Sequence, residues 1–240
     1  MKQKITAIDT IGSVVATDYN TTTVFYRYHI DFCCGGDKQI GEVCREKKID
    51  EAVLLNEVNG LLNSEEVVGD PSGLKPDQLI QHILEKHHRY VQRHIPVILE
   101  FLEKLCRVHG ENHPELFEIK QVFGEGAEHL LMHMKKEENV LFPMIKNMVH
   151  EQNEGRHPAA LPYSTFMPIR MMRHEHETEG NRFAHLAELT NSYTPPADAC
   201  STYKAAFALM HEFEKDLHRH IHLENNVLFP AALEMEQHEL

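Results

Sequence analysis

Between residues 77 and 236 the apolar positions recur in alternating steps of four and three, the rhythm of a helix that turns one face to a core. Four amphipathic stretches carry it, roughly 77–108, 114–149, 165–190 and 199–236. The first reads Leu84, His88, Val91, Ile95, Ile98, Leu102 and Leu105. The second reads Ile119, Phe123, Gly126, Leu130, His133, Glu137, Val140 and Met144. Ile169, Met172, His176, Glu179, Phe183 and Leu186 make the third, and Ala206, Met210, Phe213, Leu217, His220, Glu224, Val227 and Ala231 the fourth. Turn formers mark the joints at His109 to Pro114, Gly155 to Pro162 and Asn191 to Pro196. Four helices on short connections predict an all-α, up-down-up-down four-helix bundle.

Ahead of the bundle, shorter helical patterns lie around Ile11–Thr17, Thr21–Ile30, Asp37–Lys47 and Asp50–Asn63. Gly69-Asp-Pro-Ser-Gly-Leu-Lys-Pro76 then clusters breakers between two periodic regions. The expected organisation is a small helical domain over 1–68, a linker over 69–76 and the bundle over 77–240.

The seam is not wholly apolar. His133 and Glu137, followed by Val-Leu-Phe-Pro143, return 87 residues later as His220 and Glu224, followed by Val-Leu-Phe-Pro230. A lone seam histidine precedes each copy, His88 and His176, so the bundle reads as a duplicated helical hairpin. Residues four apart share a helix face, and all six polar residues point into the core. An ionised Glu there is costly unless it is paired or bound to a cation. Four imidazoles and two carboxylates are too many for one tetrahedral zinc. They suit two iron ions, each held by two histidines and sharing two bridging glutamates, with a solvent-derived bridge and an open position. The alternative is a set of buried His–Glu hydrogen bonds without metal. Ferritin-like sites differ, placing Glu-x-x-His at i, i+3 on two helices and a lone Glu on the others.

Glu179, one turn beyond His176 on the seam, is a candidate to ligate, relay protons or gate access, or it is a carboxylate at a widened edge of the bundle. Glu175, adjacent to His176, is a candidate to stand behind the ligands. His87, His94, His129, His174, His218 and His222 lie off the seam, as surface residues or as donors behind the ligands. Asn139, Asn226 and the Val-Leu-Phe-Pro runs read as packing and helix-ending features.

Composition narrows the function classes. Lys and Arg total 24 against 37 Asp and Glu, and a net charge of −13 repels nucleic acid and anionic membranes. No stretch is long and apolar enough to span a bilayer. Asp9 interrupts the first apolar run, so no secretory signal is expected. An odd count of five cysteines then reads as thiols of the reducing cytoplasm. Cys33 and Cys34 in Asp31-Phe-Cys-Cys-Gly-Gly-Asp37 are expected just before a helix N-terminus capped by Asp37. The helix dipole would favour thiolate there, for redox, nitrosation or metal-transfer chemistry. Cys44, Cys106 and Cys200 read as isolated.

Asp-Phe-Cys-Cys-Gly-Gly at 31–36, His-Met-x-Lys-Glu-Glu with Leu-Phe-Pro-Met at 133–144, Glu-His at 175–176 and His-Ile-x-Leu-Glu-Asn-Asn-Val-Leu-Phe-Pro at 220–230 go together in one family. With them the chain resembles the Repair of Iron Centers family, the hemerythrin-like di-iron proteins of the ScdA and YtfE type, over nearly its whole length. The family's ligand pattern falls on His88, His133, His176 and His220, with Glu137 and Glu224 as bridges. The resemblance implies a hemerythrin-like bundle behind an ScdA-type domain, in a cytoplasmic, stress-induced protein and possible homodimer. Its implied activity is restoring iron–sulfur clusters damaged by nitric oxide or peroxide, with damaged iron–sulfur proteins as partners. Two other functions fit the same ligands: a carrier or sensor of dioxygen or nitric oxide, and a di-iron nitric oxide reductase or peroxidase.

Overall fold

In the computed structural model, residues 4–62, 71–156 and 163–237 are described. The N-terminal part holds α1 (Ile11–Thr17), α2 (Thr22–Arg27), α3 (Ile40–Lys47) and α4 (Glu51–Leu62). Residues 69 and 70 of the expected linker and residues 157–162 of the expected second joint lie outside the described residues. Beyond them the chain forms four long rods. The first is α5 (Pro76–Ile83), a π-helical turn π1 (Leu84–His88) and α6 (Arg89–His109). The second is α7 (Glu115–Lys136), π2 (Glu137–Leu141) and α8 (Phe142–Asn153). α9 (Phe166–Leu189) is the third. The fourth is α10 (Ser201–Leu223), π3 (Glu224–Leu228) and α11 (Phe229–Gln237). The fold is all-α, an up-down-up-down bundle in which α6 packs on α7 and α10, and α7 on α9.

Three of the four rods depart from an unbroken seam, and each departure is a π turn. Phe142 N–H bonds Glu137 O, Phe229 N–H bonds Glu224 O and Arg89 N–H bonds Leu84 O, a spacing of five residues that inserts one extra residue into the rod. After Glu137 the buried positions are therefore Leu141, Ile145 and Met148, while Val140, expected inside, is about half exposed. After Glu224 they are Leu228 and Ala232 rather than Val227 and Ala231. In π1 the extra residue brings His87 and His88 inside together. Pro143 and Pro230 stand just past π2 and π3 and do not end their helices. A proline lacks the N–H that an α-turn needs and crowds the carbonyl four residues back, and the widened turn removes that conflict. α9 has no π turn, and all six of its expected seam residues are buried.

The six polar residues form a layer between two apolar clusters. On one side lie Ile80, Ile83, Leu141, Phe142, Met172 and Phe229. On the other side Val91, Leu130, Phe183 and Leu217 run on continuously into Phe25, Ile40 and Leu54 of the N-terminal helices.

The expected Asp37 cap is not formed, because α3 starts three residues later, with Gln39 in the capping position. Its first free N–H groups are taken by the segment ahead of α1: Ile40 N–H bonds Asp9 O and Gly41 N–H bonds Ala7 O. Gly36 serves close approach, since a Cβ there would lie 2.6 Å from the Asn226 amide oxygen; at Gly12, on α1, the distance would be 2.4 Å. Asn226 is thus wedged between two glycines, and its Nδ2 donates to Phe32 O at 3.1 Å.

Candidate metal centre

Two groups of four buried side chains meet at the polar layer, His88, Glu137, His220 and Glu224 in one, His133, Glu137, His176 and Glu224 in the other. The ligand atoms of each group lie within 4.8 Å of one another. Each group takes one histidine from each half of the repeat, and both share the two glutamates. Each of the three π turns contributes one of these residues, His88, Glu137 or Glu224.

The inward atoms approach one another without pairing normally. His88 Nε2 lies 3.4 Å and His133 Nε2 3.1 Å from the Glu137 carboxylate, yet both Glu137 oxygens and His88 Nε2 lack a hydrogen bond. His176 and His220 each place Nε2 3.1 Å from Glu224. His133 and His176 bring their Nε2 atoms within 2.9 Å of each other. The opposite edges of these two rings decide what that contact means. His133 Nδ1 is 2.9 Å from Glu175, an acceptor, and His176 Nδ1 is 2.9 Å from the Asn225 side-chain oxygen. Asn225 Nδ2 is committed to Cys33 O at 3.1 Å, which fixes its oxygen towards His176. Both Nδ1 atoms therefore carry hydrogen, and two neutral rings would face each other through lone pairs. Only a proton or a metal cation between them makes the contact favourable.

The electrostatics agree. Burial works against charge on every group here, but the carboxylates outweigh it at His133, mainly Glu137, and hold its pKa at about 10. His88 is raised in the same way, against burial, by Glu137. Burial pushes His220 down. The Glu137 and Glu224 carboxyls are kept low despite burial, chiefly by His133 for the first and His220 for the second. Hydrogen bonding to His133 and Lys136 lowers Glu175 to about 2, so it remains an acceptor. The donors are imidazole nitrogen and carboxylate oxygen, all buried inside the bundle, a set that fits a pair of divalent cations such as iron, manganese or zinc.

Three side chains hydrogen-bond the inward histidines from behind, Glu175, Glu138 and Asn225. Glu175 was legible from its place beside His176; Glu138 and Asn225 were not. These two come directly after the shared glutamates, and Glu138 accepts from His88 Nδ1 at 2.8 Å as Asn225 does from His176. The equivalence of 138 and 225 in the repeat was the available signal. His87, expected off the seam, is buried and bonds Asp216 at 3.0 Å. His222 is also buried, beside Asn226. His94 and His218 are half-buried, and His129 and His174 exposed.

Glu179 joins neither group. It is buried against Arg182 Nε at 3.1 Å and His129 at 3.3 Å, and it packs opposite Gly126, where a Cβ would meet Arg182. Desolvation raises its pKa. Cys33 and Cys34 lie 3.7 Å apart, beside a cavity of about 740 Å³ between the N-terminal helices and α9. Their loop is organised by Asp31, which accepts from the backbone N–H groups of Cys33, Cys34 and Gly35. The expected dipole-stabilised thiolate is not found at Cys33, because its hydrogen bond with Cys34 and burial raise its pKa well above the usual thiol range. Cys34 Sγ donates to the backbone oxygen of His176 at 3.4 Å, so this loop touches the layer of buried histidines and glutamates directly. Cys200, expected to be isolated, instead has a partner, with Sγ 3.2 Å from His109 Nε2.

No helix among the described residues is long and apolar enough to cross a membrane. Residues 79–232 match the family model described as "Hemerythrin HHE cation binding domain", and residues 7–62 match ScdA_N, described as "Domain of Unknown function (DUF542)". The chain is 31% identical over 223 residues to "Iron-sulfur cluster repair protein ScdA" of Staphylococcus haemolyticus, covering 92% of this chain and 96% of that one. It is 33% identical over 218 residues to "Probable iron-sulfur cluster repair protein" of Haemophilus influenzae, covering 88% and 91%. To "Iron-sulfur cluster repair protein YtfE" of Dickeya chrysanthemi it is 31% identical over 226 residues, covering 94% and 97%. Matched over nearly its whole length, with both parts in the same order, the chain belongs to the ScdA and YtfE family of hemerythrin-like iron–sulfur cluster repair proteins.

Proposed function

We propose that this protein repairs iron–sulfur clusters damaged by nitrosative or oxidative stress, supplying iron from a dinuclear site. His88, His133, His176 and His220 would hold the two ions, and Glu137 and Glu224, common to both groups, would serve both. The observation that carries the reading is the sharing of both carboxylates by two buried four-residue groups. Bound iron supplies the cargo for an incomplete cluster. The protein's own part is to hold four imidazoles with Nε2 inward, exclude water and keep both carboxylates ionised. Residues 1–68 form the ScdA-type domain, 69–76 the linker and 77–240 the di-iron bundle. Damaged iron–sulfur proteins of the cytoplasm are the partners. Cys34, in contact with the His176 backbone, and Cys33 beside it line a cavity and are the groups through which iron or nitric oxide chemistry reaches the surface.

The test is anaerobic. Protein loaded with ferrous iron is mixed with a dehydratase whose cluster nitric oxide has damaged, beside an equal amount of free ferrous iron. Recovery above the free-iron control is expected, and Glu137→Ala or Glu224→Ala should lower iron content and abolish it. Equal recovery by iron-free protein would overturn iron donation. Retained iron without recovery would favour a carrier or redox role.

A further inference from the structure

The repeat predicts two equivalent metal positions, and the residues behind them break that equivalence. In each half the residue after the shared glutamate orients the lone histidine: Glu138 holds His88 at 2.8 Å and Asn225 holds His176 at 2.9 Å. In the second half the residue before the lone histidine, Glu175, also holds His133 of the first half at 2.9 Å, and Lys136 in turn bonds Glu175. The counterparts of Glu175 and Lys136 are His87 and Leu223, and neither can do this for His220.

The reason lies in the ring geometry. The His87 ring is stacked on the His220 ring, with planes 8° apart and centroids 5.6 Å apart. It offers a face where an acceptor must lie in the ring plane of its partner. His87 Nδ1 is turned away, to Asp216 at 3.0 Å. His220 Nδ1 and His87 Nε2 are both buried with no hydrogen-bond partner among the described residues. Both imidazoles of the His133–His176 position are therefore fixed from behind. At the His88–His220 position only one is.

A ligating histidine without an acceptor on its outer N–H is less basic and less firmly oriented, and loss of such a partner typically lowers metal affinity by about 10–100-fold. We infer that the ion held by His88 and His220 is the exchangeable one of the pair, and that His87 is the positioning residue that makes it so. This rests on the dinuclear reading above. It identifies which of the two ions is cargo and which stays to hold the bundle together.

The experiment measures metal release from protein loaded anaerobically with two equivalents of ferrous iron, using a coloured ferrous chelator in excess. Two phases of one ion each are expected, separated by about tenfold or more. His87→Gln, whose side-chain oxygen can accept from His220, should slow only the fast phase. Glu175→Leu should accelerate only the slow phase and draw the two together. Mössbauer spectra of protein depleted to one ion should be changed by Glu175→Leu and not by His87→Gln. Release in a single phase, or a fast phase that responds to Glu175→Leu and not to His87→Gln, would overturn the inference and leave the dinuclear site standing. Binding of fewer than two ions by the parent protein would overturn the dinuclear reading itself. If His87→Gln does not fold, as judged by helical circular dichroism, the phase that Glu175→Leu alters decides the matter alone.

Discussion

The five cysteines share one side-chain chemistry, and their surroundings divide them sharply. Cys33 is buried beside a second thiol and a carboxylate, so its proton is held tightly. Cys200 is exposed ahead of the first turn of α10, where the backbone N–H of Tyr203 and the His109 imidazole lower its pKa to about 7. At neutral pH Cys200 carries more thiolate, the form that reacts, than an ordinary cysteine. Iodoacetamide at pH 7 should therefore label Cys200 first, at a rate that rises as pH passes through 7, with Cys33 the slowest. His109→Ala should cut the labelling of Cys200 at pH 7 by about fivefold if its pKa rises by one unit, read by peptide mass spectrometry. The pair was not legible because its members are 91 residues apart and their meeting depends on how the ends of α6 and α10 align.

At the scale of the element, the π turns fix which side chains reach the layer. An unbroken heptad places Val140 in the core; the structure places Leu141 there. The two alternatives differ by a measurable energy. Leu141→Ala removes a buried side chain and should cost about 2–5 kcal/mol, whereas Val140→Ala, on the exposed side, should change stability by no more than about 0.5 kcal/mol. Urea unfolding of metal-free protein reads both, and the reverse order would restore the unbroken seam. That the six polar side chains meet in one layer was legible in the sequence because the four-residue step from His133 to Glu137 and from His220 to Glu224 ends where each π turn begins, so the period up to it is intact. The course of α8 and α11 was not legible, because Pro143 and Pro230 look like helix ends. In fact they sit two residues past a widening that lets the helix continue. Every seam position of α9 was legible, and it is the rod whose ladder has no such turn.

At the scale of the whole molecule, the layer of buried histidines and glutamates is where the fold is least self-sufficient. Two apolar clusters are held apart by two buried carboxylates and a pair of imidazoles whose inner nitrogens need a cation between them. The neighbouring π3 asparagines tie this layer to the N-terminal helices, Asn225 through Cys33 O and Asn226 through Phe32 O, so loosening the layer also loosens the docking of the Cys33–Cys34 loop. Without metal, the charge between the imidazoles is supplied by a proton on His133. Because its folded pKa is raised from 6.5 to about 10, the stability that proton contributes is fully present below about pH 6.5 and is lost as pH rises through about 10. A bound cation supplies the same charge without that loss. Free metal at about 100 times its dissociation constant adds ~2.7 kcal/mol per ion, which in a chain of this size raises the melting temperature by about 5–10 °C. That gap between metal-loaded and metal-free protein should widen from pH 7 to pH 9, because the metal competes with fewer protons for His133 at each higher pH. Scanning calorimetry of both forms across that range checks it, and a gap that narrows with rising pH would show that His133 does not hold the substituting proton.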